Sequence, residues 1–414
     1  MIRQGPFPPL LRVLSGMMLG VLSAGFGPVS LNAAPDITAP EVQPGSLLSE
    51  SAVSLKAVRQ QYQASPGRKA LAVAGDESSF VYGMAHGAAK DVTAAGQALA
   101  QCNAARVARR IGPACEIVEL NATPVTRGQT IKQAAQVKDH PLYLWRFDSA
   151  SARVYLAGSL HVLKETLYPL PRQLEQAFLA ADKIAVEVDT FNIDPDVMQQ
   201  KVRQYALLRQ DESLSTVLPP NILMELQTYL AGQGIDLRSV NQLKPAMLAT
   251  QLAVTRLMSL GYLPQFGMEK HFLTRAGHRP VLELETLDDQ LNLIANPPLA
   301  LQTEMLAETL DQIESIEPII AQMIKAWLLG DEKEFMRLFE LQNGESEAYL
   351  DFMEHLLDKR NVAMADKIEG YLTNQGTYFV MVGSAHLSGR ESVVKILERR
   401  GLSGRQLRSK DTQI

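Results

Sequence analysis

Short apolar blocks recur along the chain, and their length, alternation and β-branched or aromatic content fit strands better than helices. Lys69–Ala74, Phe80–Gly83, Cys115–Leu120, Leu142–Phe147, Val154–Ala157, Ile184–Asp189, Pro280–Glu285 and Tyr378–Val382 are predicted as strands. A helix is predicted over 90–111, carrying Ala95, Leu99 and Cys102 on one side, and another over Leu174–Phe178, where Pro169 and Pro171 suit the entry. Residues 196–263 and 299–372 repeat apolar side chains every three or four positions, which predicts mostly helix, and a last helix spans 391–400. The expected fold is α/β (α+β): a mixed central sheet with a large helical insertion over 139–412, preceded by a small α+β module over 66–122. Residues 34–65, rich in Pro, Ser, Ala and Gln without a sustained period, read as a flexible linker.

Composition narrows the class. The chain has 414 residues, 46% hydrophobic and 21% charged, as expected of a soluble globular protein with two folded units. A net charge of -5 leaves no basic surface, so nucleic acid is excluded as a partner. Residues 1–33 carry Arg3 and Arg12, an apolar run from Val13 to Phe26 and small residues before Ala34, the pattern of a secretory signal cleaved after Ala33. The run is broken by Gly16, Gly20 and Gly25 and is shorter than the ~20 residues of a membrane span. No transmembrane helix is therefore expected after cleavage, and the mature protein is expected to be periplasmic or secreted. The two cysteines, Cys102 and Cys115, would then meet an oxidising compartment and are expected to form a disulfide stapling the small module.

The chemistry concentrates in a repeated pattern. Val154–His161 and Phe379–His386 each read as an apolar strand, Gly-Ser, one small or apolar residue and His, although the histidines lie more than half the chain apart. In an open α/β sheet, residues just past the carboxyl ends of strands line one crevice, so two strand-end imidazoles can face one ion. Glu187 and Asp189 end a third strand on a common face, and a carboxylate set in Ala-Val-Glu-Val needs a metal or a basic partner. His161, His386 and Glu187 together make a nitrogen and oxygen set for Mn, Co, Fe or Zn. Glu269 and Glu285 are candidates for ligand, general base or hydrogen-bond partner of a histidine, with a solvated strand edge the competing reading for Glu283 and Glu285. Arg360, on a helix with Asn361, either holds a substrate carboxylate or oxyanion or is a surface cation. The chain lacks H-E-x-x-H, an ordered G-x-S-x-G triad and a P-loop.

From about Pro141 to Gly401 the sequence resembles the TraB/GumN (Tiki-like) family. The resemblance is carried by Tyr143-Leu-Trp, Tyr155-Leu-Ala-Gly-Ser-Leu-His161, Tyr168-Pro-Leu-Pro171, Val186-Glu-Val-Asp189, Gly267-Met-Glu269, Leu284-Glu-Thr286, Gln290, Arg360-Asn361 and Val382-Gly-Ser-Ala-His-Leu387. It implies a fold similar to the erythromycin-esterase and ChaN-like group. For the animal Tiki members it implies metal-dependent peptide cleavage by two Gly-x-x-His motifs and a glutamate, which fall on His161, His386 and Glu187. The expectation is an exported metal-dependent hydrolase of metalloprotease type that cleaves peptide bonds through a metal-activated water. Glu269 or Glu285 would handle protons and Arg360 would steady the oxyanion. The alternative is a non-catalytic protein that binds or sequesters a peptide or small molecule in the same crevice, with the N-terminal module docking a protein partner. An esterase-like or haem-handling role follows from fold analogy alone.

Overall fold

A computed structural model describes residues 54–339 and 347–414. The expected signal over 1–33 and most of the linker lie outside the described residues. The end of that linker is a helix, Leu55–Ala64: the Ser54 side chain accepts from the Ala57 N–H, and Val58 and Tyr62, one turn apart, are buried. They pack with Leu71, Val73 and Val118, so two apolar anchors at helical spacing order a stretch whose overall polarity predicts a tether.

The small module is a four-stranded antiparallel sheet of β1 (Arg68–Gly75), β2 (Phe80–Ala88), β3 (Glu116–Leu120) and β4 (Thr123–Pro124), in the order β2-β1-β3-β4. The helix Asp91–Arg109 covers it with Ala94, Ala95, Ala98 and Cys102 buried, and these small side chains let helix and sheet approach closely. The expected disulfide joins Cys102 to Cys115, with Cα atoms 6.0 Å apart.

A polar linker over Asn121–Asp139, by sequence, contains the helix Gly128–Ala134. There the backbone N–H and hydroxyl of Thr126 donate to the Glu317 carboxylate at 3.0 and 2.9 Å. One hydrophobic cluster runs from Ala72 and Ile117 in the small sheet to Leu156 and Val380 in the large one.

The large sheet holds β5 (Pro141–Asp148), β6 (Ala152–Ser159), β7 (Lys183–Val186), β8 (Val281–Glu283), β9 (Gly376–Gly383) and β10 (Gly404–Arg408), in the order β10-β5-β6-β9-β7-β8. β5 runs antiparallel to both β10 and β6, while β6, β9, β7 and β8 are parallel neighbours. The sheet is mixed, as expected. β9 arrives from the far end of the chain and inserts between β6 and β7, which puts Ser159 opposite Gly383 and Met381 opposite Val186. All four parallel strands thus open their carboxyl ends along one edge, where an α/β sheet presents its ligand crevice. Most of the helices from Pro195 to Gln312 form a second cluster around Ala246, Leu252 and Leu306, while Met268–Leu273 packs in the main one. Among the described residues no helix is long and apolar enough to cross a membrane.

Candidate active site

The two Gly-Ser-x-His segments leave adjacent strands and stay adjacent. At Gly158 an added Cβ would come within 2.8 Å of the Tyr143 ring and 3.0 Å of the Ser384 hydroxyl, so glycine lets the two strand ends close on each other. A Cβ on Gly267 would meet the His161 carbonyl oxygen at 2.1 Å, and this close approach brings Glu269 to the histidine. After β9 the chain turns into a short helical turn, Ser384–Leu387, that buries His386. After β6 it runs on without such a turn and leaves His161 lining a cavity.

Glu187 sits one residue beyond β7 and is buried. Its Oε1 accepts from the Gly383 N–H at 2.6 Å, and its Oε2 accepts from Gln290 at 2.9 Å and Arg360 at 3.0 Å. Arg360 also grips Glu285 bidentately at 2.5 Å through Nε and Nη2, and Nη1 donates to the Leu356 carbonyl at 2.8 Å. Residues Glu354–Asp358, just before it, form a π-helical turn, the kind of widened turn that helices carry at functional sites. Asp189, expected beside Glu187, instead accepts from Asn192, because the strand ends at Val186 and the two-residue alternation ends with it.

His386 and His161 differ in partners. Asn361 donates its amide to the Glu391 carbonyl at 2.8 Å, so its Oδ1 is an acceptor, and His386 Nδ1 lies 2.6 Å from it. This assigns the proton to Nδ1 and leaves the Nε2 lone pair 3.7 Å from Glu187 Oε1. Burial, reinforced by Arg360 and His161, holds the His386 imidazole well below its usual range, so the ring is neutral. His161 Nδ1 lies 2.9 Å from Glu269 Oε2 as an ion pair, but without hydrogen-bond alignment, and its Nε2 has no partner. Burial pushes this imidazole down, yet the Glu269 and Glu187 charges outweigh it and raise it above its ordinary value. Glu269 shifts the other way: burial pushes its carboxyl up, and His161 more than offsets this and lowers it. Burial, with Glu285 adding to it, raises Glu187 against the pull of Arg360.

His161, Glu187, Glu269 and Gln290 line the inner end of a cavity of about 530 Å³. The six residues singled out in the sequence therefore form one connected cluster: His386, His161 and Glu187 at its centre, Glu269 against His161, and Arg360 and Glu285 behind Glu187. Gln290 and Asn361 were named only as residues carrying the family resemblance, and their roles as partners of Glu187 and His386 were not foreseen. The available signal for Gln290 was a polar residue on the buried stripe of its helix, beside Leu291 and Ile294. His271, on the same helix as Glu269, pairs instead with Glu175.

Residues 143–406 match the TraB/PrgY/gumN family. The chain belongs to that family. A protein of Treponema pallidum (strain Nichols), described only as uncharacterized, is 19% identical over 269 residues, which covers 62% of this chain and 80% of that protein. No solved structure matches the chain. Among the described residues of this TraB/PrgY/gumN chain, no three His, Cys, Asp or Glu side chains are placed to hold a metal ion as they stand. The donor chemistry nonetheless fits a divalent cation. A neutral imidazole lone pair faces a carboxylate oxygen with nothing positive between them, and the nitrogens of a second imidazole are buried without hydrogen bonds.

Proposed function

We propose that this chain is an exported hydrolase that cleaves peptide bonds, with His161, His386 and Glu187 as ligands of one divalent cation such as Mn, Co, Zn or Fe. The observation that carries the reading is the pair of strand-end imidazoles beside a buried carboxylate, with His161 and that carboxylate, Glu187, lining the inner end of a cavity. Export rests on residues 1–33 and on the disulfide of the small module.

The chain's own groups divide the work. Asn361 fixes the His386 ring and its tautomer, as metal-ligating histidines require. Gly383, Gln290 and Arg360 hold Glu187 in place. Glu285 balances the Arg360 charge, so a buried carboxylate and guanidinium are not left alone. Glu269, whose side chain is one-fifth exposed to the cavity, is the proton acceptor for an attacking water, since its lowered carboxyl is ionised at neutral pH. The cation, when bound, supplies Lewis acidity to a substrate carbonyl and makes a water easier to deprotonate. A ligating His161 nitrogen would have to be free of its proton and loosened from Glu269.

One observation favours the rival, a non-catalytic peptide-binding protein. Without an ion, Glu269 already lies against His161, and Glu187 and Glu285 already share Arg360, so each carboxylate has a partner. Turnover separates the two readings. The chain without residues 1–33, incubated with unstructured peptides and Mn, Co or Zn, should release fragments. Glu269→Gln should slow release by roughly 10²- to 10⁴-fold, the contribution of a positioned base. Saturable peptide binding with no fragments under any of the three metals would select the rival.

A further inference from the structure

The cavity continues outward from the reactive end and changes character. Its floor is polar: His161, Glu187, Glu269 and Gln290. Its walls are mostly apolar, with Val188, Phe191, Ile193, Met198 and Leu273 contributed by the loop after β7, the helix Pro195–Ala206 and the helix Met268–Leu273, and with Thr190, Gln199 and Gln265 among them. Met198 is only 4% exposed, whereas Phe191 at the outer lip is 41% exposed, and the Lys270 ammonium stands 4.0 Å from the Phe191 ring centre. A volume near 530 Å³ falls in the range of small-ligand sites, enough for a side chain with its flanking backbone.

The charges of this cavity decide what it accepts. Glu187 already accepts from Gly383, Gln290 and Arg360, and Glu269 lies against His161, so although Arg360 is shared with Glu285 a basic side chain would lose its hydration between mostly apolar walls to reach carboxylate oxygens that already have partners. An acidic side chain would lose hydration likewise and meet two carboxylates. A basic one would also pass Lys270 at the lip. An apolar side chain gains from every wall contact and disturbs none of the floor pairs.

We propose that this cavity is the specificity subsite for an apolar side chain, of leucine or phenylalanine size, on the peptide segment presented to the His161–Glu187 centre. The inference rests on the peptide-hydrolase reading above, and binding without turnover tests it separately. Capped peptides acetyl-Gly-X-Gly-Gly-amide, with X as Leu, Phe, Asp or Lys, would be titrated into the full chain in EDTA by ligand-observed NMR, then assayed for cleavage with Mn or Zn. The Leu and Phe peptides should bind at least about tenfold more tightly than the Asp and Lys peptides, in keeping with the discrimination an apolar pocket provides. Phe191→Ala, at an exposed position that tolerates change, should reduce that preference several-fold, and Met198→Asp should reverse it toward Lys. Equal binding of all four, binding of none, or a Leu preference unchanged in a folded Phe191→Ala would overturn the subsite. Selective binding without cleavage would leave the subsite standing and count against the hydrolase.

Discussion

The two Gly-Ser-x-His segments start from the same place, at the ends of neighbouring parallel strands, and reach opposite electrostatic states. His386 is wrapped in a helical turn, 2% exposed, anchored by Asn361 and held neutral by burial. His161 is 9% exposed, borders the cavity and is raised above its ordinary value against burial, chiefly by Glu269. One motif thus yields a fixed lone-pair donor and the other an imidazole whose hold on a proton is strengthened by neighbouring carboxylates. What separates them is the charge each ring meets: burial lowers both, but the Glu269 and Glu187 carboxylates outweigh it at His161, whereas Arg360 and His161 add to it at His386. A centre built this way is half preorganised and half switchable.

Removing the group that faces both halves should have the largest effect. Arg360→Ala leaves Glu187 and Glu285 buried without their cation, and truncating one member of such a cluster costs about 3–5 kcal/mol. The expected outcome is a fall of several degrees or more in the thermal unfolding midpoint. An unchanged midpoint would mean that the carboxylates are neutralised some other way. Asn361→Leu acts on one half alone: it frees the His386 ring and should weaken metal binding by roughly 10- to 100-fold, measured by titration against a competing chelator. Affinity equal to wild type would show that His386 needs no anchor. Glu269→Gln acts on the other half, and an NMR pH titration of the imidazoles should show His161 moving to lower pH while His386 stays neutral. A His161 titration that does not move would remove Glu269 as the source of its charge.

A smaller effect lies outside the centre, at the junction with the N-terminal module, and marks what burial does to an ammonium held by a carbonyl and a ring. Lys164 is buried there, its ammonium donating to the Thr126 carbonyl and lying 4.4 Å from the Tyr262 ring centre. Burial is the main cause that lowers it from 10.5 to about 8, with Arg127 contributing and with Glu317 and Glu116 opposing. The unfolded chain therefore holds more protons than the native one between about pH 8 and pH 10.5. In that window this group's contribution to stability rises with pH, by at most about 1.4 kcal/mol per unit, and below it the burial cost is complete. Lys164→Met should flatten the rise in denaturant midpoint over that window, and an unaltered slope would assign the rise to other groups.

Much of the scaffold was legible because its signals are local. The strands that carry the site announce themselves as apolar blocks, and the paired Gly-Ser-x-His pattern marks two of their ends. Parallel pairing of β6 with β9 then follows from placing both motifs on one crevice edge. Partners were less legible. Nothing near Arg360 in sequence says that its guanidinium will grip Glu285 rather than face the cavity, since that pair closes between a distant helix and the segment after β8. Asn361 and Gln290 gain meaning only once Glu391 and Glu187 stand beside them. β10 carries a single buried side chain, Leu407, too little for a strand pattern, and takes its order from pairing with β5. The helix Leu55–Ala64 escaped for the converse reason: two anchors were lost in a polar stretch.

The shared-ion centre is tested most directly by metal content. The chain without residues 1–33 would be stripped with chelator, dialysed against Mn, Co or Zn in turn, and analysed by mass spectrometry for bound metal beside His161→Ala and His386→Ala. One equivalent per wild-type chain, lost from both variants while their folded spectra persist, is the expected result. Equal metal in all three proteins, or none in any, would contradict a cation held between the two strand-end histidines.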